Sequence, residues 1–144
     1  MDTMRNKLFI AWAASRWLLL MFLFTPALQA PLVARPTEPL KPLRIWEGNA
    51  SWYGSRFHGR KTASGEIYNM NATTAAHQSL PFGSLVRLVN PNTNKSLIVR
   101  INDRGPFIED RELDVSSFTA GRLGIQHRGV ARLRIELLEV PKRW

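Results

Sequence analysis

The chain contains no cysteine. Disulfide bridges, thiolate metal ligands, a cysteine nucleophile and lipid attachment through cysteine are therefore excluded, so the protein is not a lipoprotein. Its three histidines show no paired short spacing, and no metal site is predicted. Glycine-rich phosphate loops and the Gly-x-Ser-x-Gly elbow are also missing, so no cofactor is predicted and a serine hydrolase has little support.

Long apolar runs are missing as well. The strongest run, residues 17–24 (WLLLMFLF), is well short of the ~20 residues needed to span a bilayer. Basic residues up to Arg16 precede it and small residues follow at 25–30 (TPALQA). Together they predict a secretion signal peptide over residues 1–30, with no membrane span after its cleavage.

Cleavage after Ala30 would leave Pro31 directly behind the cut, so Ala27 and Ala34 are alternative cleavage sites. An uncleaved amphipathic anchor is the alternative to a signal peptide. The favoured prediction is an exported protein, periplasmic or associated with the cell wall.

The net charge is +9, with basic residues spread along the whole chain. Such a surface attracts polyanions, which include nucleic acid, anionic lipid and the carboxylate-rich wall of a bacterium. Charge alone does not choose among these partners.

The composition of residues 31–144 indicates a linker, one folded domain and a short tail. Residues 31–47 contain four prolines and little periodicity, and they are predicted to be an extended linker. One folded domain is predicted over residues 48–140, followed by a short tail at 141–144.

Strand patterns dominate that domain. Residues 49–53 form a short candidate strand, and residues 84–89 and 96–101 flank a turn-forming cluster at 90–95, as in a β-hairpin. Apolar and charged residues alternate over 130–140, as in a half-buried strand.

One short helix is predicted at residues 116–123, closed by Gly124. Its start can be capped by Ser116 or Ser117, and Asp114 is also expected to act as a cap rather than to react. Many short strands with one or two short helices favour a small mixed β-barrel, although this pattern alone does not separate a barrel from a sandwich.

Four segments are too polar and turn-rich for a core, yet they carry ionisable groups: residues 57–66, 73–77, 102–107 and 113–116. Asp103 ends an apolar strand just before a Gly-Pro turn, a position that suits a rigidly held proton donor. Capping of that turn is the alternative, and turn chemistry alone favours it.

Two further ionisable residues are candidates. Glu66 follows a Ser-Gly turn and is predicted to tune Asp103 or to bind a sugar hydroxyl. An exposed ion pair of Glu66 with Arg60 or Lys61 is the alternative. His77 is suited to orient a carboxylate or to bind substrate, and a core histidine satisfied by the backbone is an equally good interpretation.

Trp52, Tyr53 and Phe107 occur in or beside these segments, together with Arg104. Sugar rings present apolar C–H faces that stack on aromatic planes, so these four residues are predicted to bind a polysaccharide. Burial of Trp52 and Phe107 in the core is the alternative.

Six strings, in this order, resemble the RlpA-like (rare lipoprotein A) family of double-psi β-barrel proteins. They are residues 48–54 (GNASWYG), 62–66 (TASGE), 74–77 (TAAH), 80–83 (LPFG), 99–107 (VRINDRGPF) and 113–116 (LDVS). The resemblance covers about residues 48–140, and several ordered motifs make it specific.

The resemblance implies a mainly β fold, a six-stranded double-psi β-barrel with one or two short helices and an open polysaccharide groove. Active members of the family are peptidoglycan lytic transglycosylases. They cleave the MurNAc–GlcNAc bond of peptide-free glycan strands without water and leave 1,6-anhydro-MurNAc ends. By this resemblance Asp103 is the catalytic proton donor, and Glu66 and His77 are the other two catalytic positions.

The chain is expected to act on peptidoglycan glycan strands as a monomer without a cofactor. The alternative function is a non-catalytic peptidoglycan-binding or wall-loosening module, like expansins, that uses the same groove. Nucleic-acid binding would explain the charge but neither the signal peptide nor the motifs, so it is not expected.

Overall fold

The computed structural model describes residues 40–142, so the predicted signal peptide and most of the predicted linker lie outside it. The strands are β1 (Arg44–Tyr53), β2 (Thr74–His77), β3 (Leu85–Val89), β4 (Ser96–Asp103), β5 (Leu113–Ser116) and β6 (Val130–Glu139). Helix α1 spans Ser117–Leu123, and a 3₁₀ turn at Ser55–Phe57 follows β1. No helix within residues 40–142 is both long and apolar enough to cross a membrane.

The strands close into one barrel in the order β1-β5-β2-β4-β3-β6. Two neighbouring pairs, β1 with β5 and β2 with β4, are parallel, and the other neighbours are antiparallel. Parallel pairing needs a long crossover connection, so each parallel pair joins segments far apart in the sequence. The predicted fold, a six-stranded barrel with a short helix, is confirmed.

The predicted hairpin is present as β3 and β4. Val89 lies opposite Ser96 at its closed end, and the backbone N–H of Asn90 donates to the Lys95 carbonyl across the loop. The turn-forming residues at 90–95 therefore set the register that buries Val86 and Leu88.

Strand β1 begins at Arg44, ahead of Gly48, where the folded domain was expected to start. The additional residues pair with β6, and Trp46 lies opposite Ile135. The indole N–H of Trp46 also donates to the Glu112 carboxylate at 2.9 Å. The upstream prolines led to a predicted boundary that lies too late in the sequence. The early part of β1 was not recognised because its pairing partner, β6, lies at the far end of the chain.

Apolar side chains from all six strands and from α1 fill the barrel. The largest fully buried ones are Leu88, Ile101, Leu113, Leu123, Ile125, Leu133 and Ile135. Each strand contributes through its inward-facing residues, and α1 closes the barrel with Ala120 and Leu123.

Strand β6 shows the predicted alternation with two departures, because Glu136 and Leu138 on the other face are also buried. Leu133, Ile135 and Leu137 face the core, but Glu136 on the other face is 4% exposed. Its carboxylate bridges Arg87 on β3 at 2.8 Å and Arg134 at 2.9 Å. The charge is thus compensated within the barrel wall, as a buried carboxylate requires.

Two of the four segments judged too polar for a core are strands of the barrel. All four residues of β2 are buried, and three of the four residues of β5 are buried. The expectation was wrong for these segments because the barrel wall buries their polar side chains, and some of these find hydrogen-bond partners there, such as His77 through Nδ1. Ser116, for example, donates to the Ala72 carbonyl at 2.5 Å.

The cap of α1 is Ser116, whose hydroxyl accepts from the Thr119 N–H, and Gly124 ends the helix in the left-handed conformation. Both features were predicted. The expectation that Asp114 caps this helix was wrong. Asp114 lies within β5, two residues before the cap, and its side chain bonds to Ser51 and Arg111 instead.

Candidate functional site

The centre of the site is Ala76 on β2. In the barrel wall it lies beside Asp103 of β4 on one side and beside Asp114 of β5 on the other. Residues side by side on adjacent strands project to the same face, and neighbouring strands are about 4.8 Å apart. The two carboxylates therefore flank one small side chain on the outer face of the barrel.

The Asp103 carboxylate is held by the backbone. Its Oδ1 accepts from the N–H groups of Ala63 and Arg104, each at 2.8 Å. Its Oδ2 has no hydrogen-bond partner among residues 40–142. One oxygen is thus anchored while the other is available to a ligand, the orientation that a positioned proton donor needs.

The side chain of Arg104 is held away from that carboxylate. Its guanidinium carbon lies 3.7 Å from the centre of the Phe82 ring. One guanidinium nitrogen donates to the carbonyls of Leu80 at 2.9 Å and His77 at 3.3 Å. Arg104 therefore ties the segment after β2 to the end of β4, and it forms no ion pair with Asp103 within residues 40–142.

Glu66 is in an ion pair, but not with the predicted partners. Both of its oxygens accept from Arg100, at 2.6 and 2.8 Å, and Oε2 also accepts from the Asn102 amide at 3.1 Å. The hydrogen bonds from Arg100 and then Asn102 lower the pKa of Glu66 to about 2. Glu66 is consequently an anion at neutral pH and fixes the loop 61–67 against β4.

His77 ends β2 with its ring turned away from the two carboxylates, because side chains alternate along a strand. Its Nδ1 accepts from the backbone N–H groups of Ser79 at 3.1 Å and Leu80 at 3.0 Å. The ring meets Trp46 edge-on, with centroids 6.4 Å apart.

Those two donors place the proton of the neutral ring on Nε2, which is buried and has no partner among the described residues. Burial lowers the pKa of His77, the charges of Arg104 and Arg44 act in the same direction, and Glu112 opposes them. His77 is therefore a neutral imidazole that supports the turn at residues 78–80.

Tyr53 ends β1 and lies opposite Ser116 of β5 in the barrel wall. Its hydroxyl is buried and unpartnered among the described residues. Burial raises the pKa of the Tyr53 phenol, and the negative charges of Asp103 and Asp114 raise it further. The Tyr53 phenol therefore stays protonated and is available as a hydrogen-bond donor.

An open groove of about 770 Å³ runs beside Asp114, a volume within the ~300–1,000 Å³ typical of ligand sites. Its aromatic and charged lining residues are Trp52, Tyr53, Arg56, Phe57, Arg111 and Asp114. In its floor Arg111 donates to both oxygens of Asp114, at 2.8 and 2.9 Å, and Ser51 donates to one of them.

The predicted site residues thus fall into three places. Asp103 lies on the outer face of the barrel and does not line the groove, whereas Tyr53 and Trp52 line it, Trp52 while packing partly on the core. Glu66 lies in the loop 61–67, which also holds Asp103 through the Ala63 N–H. His77 does not line the groove; it lines a second depression of about 390 Å³.

Phe107 follows the turn after β4 and is 81% exposed, so its burial in the core, the alternative considered above, is wrong. It projects from the loop that carries Arg104. Within residues 40–142 no three histidine or acidic side chains are grouped closely enough to hold a metal ion.

Two residues of the site were not singled out from the sequence. Asp114 was assigned to a helix cap because a serine-containing helix follows it closely. Arg100 was not considered as a site residue, although its alternation with buried Val99 and Ile101 puts it on the face that Glu66 reaches. The signal for both was strand periodicity, which short strands show weakly.

A family model described as lytic transglycolase matches residues 45–135, nearly all of the barrel. The chain belongs to this family. The RlpA-like resemblance drawn from the six strings is thereby confirmed, together with the double-psi β-barrel fold.

Curated relatives agree with this RlpA-like assignment. The chain is 58% identical over 89 residues to an endolytic peptidoglycan transglycosylase RlpA of Neisseria meningitidis, covering 62% of this chain and 37% of the relative. It is 50% identical over 108 residues to the protein of that name from Pseudomonas aeruginosa, covering 74% of this chain and 31% of the relative. The chain therefore spans about a third of the length of these relatives.

Solved structures share the fold at much lower identity. A Streptomyces papain inhibitor aligns with a TM-score of 0.55 at 16% identity, covering 70% of this chain and 100% of the inhibitor. A mutant Clavibacter michiganensis expansin in complex with cellohexaose also aligns with a TM-score of 0.55, at 14% identity, covering 70% of this chain and 54% of the expansin. These likenesses show the fold alone.

The Glu66–Arg100 pair predicts a pH dependence. Because the pKa of Glu66 is lowered to about 2 from an ordinary 4.5, the pair stabilises the folded state above pH 4.5 and this contribution is lost as the pH falls towards 2. The free energy of unfolding of wild type minus that of Glu66→Gln should be constant above that range and shrink below it. Carboxyl NMR should show Glu66 titrating near 2, and higher in Arg100→Gln. An unshifted midpoint in both proteins would contradict the pair.

The acceptor role of His77 predicts different outcomes for two substitutions. His77→Asn keeps an acceptor near Nδ1 and should retain most of the stability in urea unfolding. His77→Leu leaves two backbone N–H groups without a partner and should cost on the order of 2 kcal/mol. Equal losses in the two variants would show that the acceptor is not what the turn requires.

Proposed function

We propose that this chain is an endolytic peptidoglycan lytic transglycosylase, which cleaves MurNAc–GlcNAc bonds of peptide-free glycan strands and forms 1,6-anhydro-MurNAc ends. The observation that carries the proposal is the Asp103 carboxylate, anchored through Oδ1 and open at Oδ2 on the outer face of the barrel. The names and the 50–58% identity of the curated relatives support the same chemistry.

The proposed reaction uses one carboxyl group twice. Protonated Asp103 donates from Oδ2 to the glycosidic oxygen, and the bond between MurNAc C1 and that oxygen breaks. The C6 hydroxyl oxygen of the same MurNAc then bonds to C1, and its proton passes to Oδ2. No water is consumed and the carboxyl group ends as it began, in contrast to hydrolysis by a pair of carboxylates.

Glu66 and His77 support this reaction through position. Glu66 holds the loop whose Ala63 N–H donates to Asp103, and His77 holds the turn whose carbonyls bind Arg104. We assign neither a proton transfer, because Glu66 is an ion-paired anion and His77 Nε2 is buried. Substitution of Glu66 or His77 should therefore lower the reaction rate by disturbing the orientation of the Asp103 carboxylate.

The predicted substrate-binding residues have different parts in this proposal. Trp52 and Tyr53 line the groove and are placed to contact a sugar ring. Phe107, being largely exposed, is placed to stack on a strand that extends past Asp103. Arg104 holds the backbone near Asp103 through its hydrogen bonds to the Leu80 and His77 carbonyls.

The decisive variant is Asp103→Asn, which keeps Oδ1 as an acceptor but removes the acidic proton. Purified chain incubated with peptide-free glycan should release anhydro-ended fragments, detected by mass spectrometry. The variant should lose at least about 100-fold in rate, the usual scale of general acid catalysis. Asp110→Asn, an exposed carboxylate outside the groove, is the matched control and should retain activity.

Other outcomes would overturn the proposal. Retained glycan binding without any anhydro product would favour the non-catalytic binding or wall-loosening module. Fragments that carry a water molecule in place of the anhydro end would indicate hydrolysis. A wild-type rate in Asp103→Asn would remove Asp103 from the chemistry.

We also propose that the chain is exported and acts in the periplasm or at the cell wall, where its substrate lies. The basic, apolar and small-residue order within residues 1–30 supports this. Protein recovered from the periplasmic fraction should have a mass that corresponds to cleavage after Ala27, Ala30 or Ala34. An intact amino terminus on active protein would contradict cleavage.

A further inference from the structure

One stretch of the barrel surface is basic and lacks carboxylate partners. Arg56, Arg60 and Lys61 lie in residues 55–61, all of which are exposed; we call this segment the basic arm. In the part of the chain that the structure describes, none of its three cations is within 4 Å of a carboxylate. Several other arginines are paired, including Arg87, Arg100, Arg111, Arg132 and Arg134.

The first three residues of the basic arm, 55–57, line the groove. Arg56 and Phe57 line it directly. On the floor, the positive charge of Arg111 is balanced by Asp114, so Arg56 carries the uncompensated positive charge that lines the groove. A ligand in the groove would meet that positive charge.

The arm presents an aromatic ring together with its charges. Phe57 is 44% exposed, and its ring meets Tyr53 edge-on with centroids 6.1 Å apart. The guanidinium carbon of Arg60 lies 5.6 Å from the centre of the same ring. An exposed ring beside a free guanidinium suits a sugar that carries an acidic group.

The backbone holds the arm in this position. The Gly59 N–H donates to the Tyr68 carbonyl at 3.0 Å, and the Tyr68 N–H donates to the Arg60 carbonyl at 2.8 Å. His58 adds a third tie, since its Nδ1 accepts from the Met70 N–H at 3.2 Å. The cations are therefore carried on an ordered scaffold, which lowers the entropy lost on binding.

We propose that the basic arm binds the lactyl carboxylate of N-acetylmuramic acid, with Arg56 and Arg60 as the specificity-determining residues. This inference rests on the proposed function, in which the groove holds a glycan strand. The lactyl carboxyl group is a free anion where the stem peptide has been removed and a neutral amide where the peptide is present. Recognition of that charge gives the groove a preference for peptide-free strands.

The test compares two forms of one substrate: peptide-free glycan strands, and the same strands with their carboxyl groups converted to neutral methylamides. Wild type should bind the charged strands about tenfold more tightly, because a charge-assisted contact is worth about one factor of ten. Arg56→Gln combined with Arg60→Gln should lose this preference and bind both forms as wild type binds the neutral one.

Lys95→Gln combined with Arg122→Gln is the matched control, because it removes two exposed cations that do not line the groove. That variant should keep the preference. Its loss there would show that net charge, and not the arm, discriminates between the strands.

The inference and the proposed function fail in different ways. Active wild type that binds both forms equally tightly, or an arm variant that keeps the binding preference, would overturn the inference and leave the proposed activity intact. An arm variant that binds neither form would also overturn it, because loss of a charge contact leaves binding to the neutral strands unchanged. A wild type that binds and cleaves neither form would instead remove the proposed function.

Discussion

The site depends on one feature of the barrel wall: β2 lies between β4 and β5, so that Ala76 separates Asp103 from Asp114. The β2–β4 pair is parallel, and both strands end at the same edge of the barrel. A larger residue at position 76 would fill the space between the two carboxylates. The short strand with small side chains thus leaves room for a ligand above the wall.

The surroundings of Asp103 are organised by contacts between distant parts of the chain. The loop at 61–67 reaches β4 through Arg100, Asn102 and Asp103, and the turn after β2 reaches it through Arg104. These contacts involve charged or amide groups and backbone atoms, which impose direction as well as proximity. An apolar contact would hold the loop near the strand without aiming the carboxylate.

Sequence patterns predicted the elements whose structure is determined by residues that are neighbours in the sequence. The β3–β4 hairpin, the alternation in β6 and the Ser116 and Gly124 ends of α1 were all read from neighbouring residues. The resemblance to a known family supplied the barrel closure, which local patterns leave open between barrel and sandwich. β2 and β5 were missed as strands because each has only four residues and carries polar side chains that the barrel wall buries.

The sequence predicted a set of site residues, but not the contacts and orientations of their side chains. Arg100 as the partner of Glu66 and the inward ring of His77 both depend on which face of a strand meets which loop. The catalytic roles of Asp103, Glu66 and His77 stay predictions. Parallel pairing of distant segments has no sequence signature of its own, so the arrangement needed the structure.

The Asp103 oxygen that accepts from Ala63 also has a consequence for genetics. An alanine at position 103 would delete the acid and release the loop together, so a dead alanine mutant cannot separate chemistry from architecture. In a population, selection would act against substitutions at position 103 for two separate reasons. They would remove the acid needed for the reaction, and they would release the loop that carries Glu66.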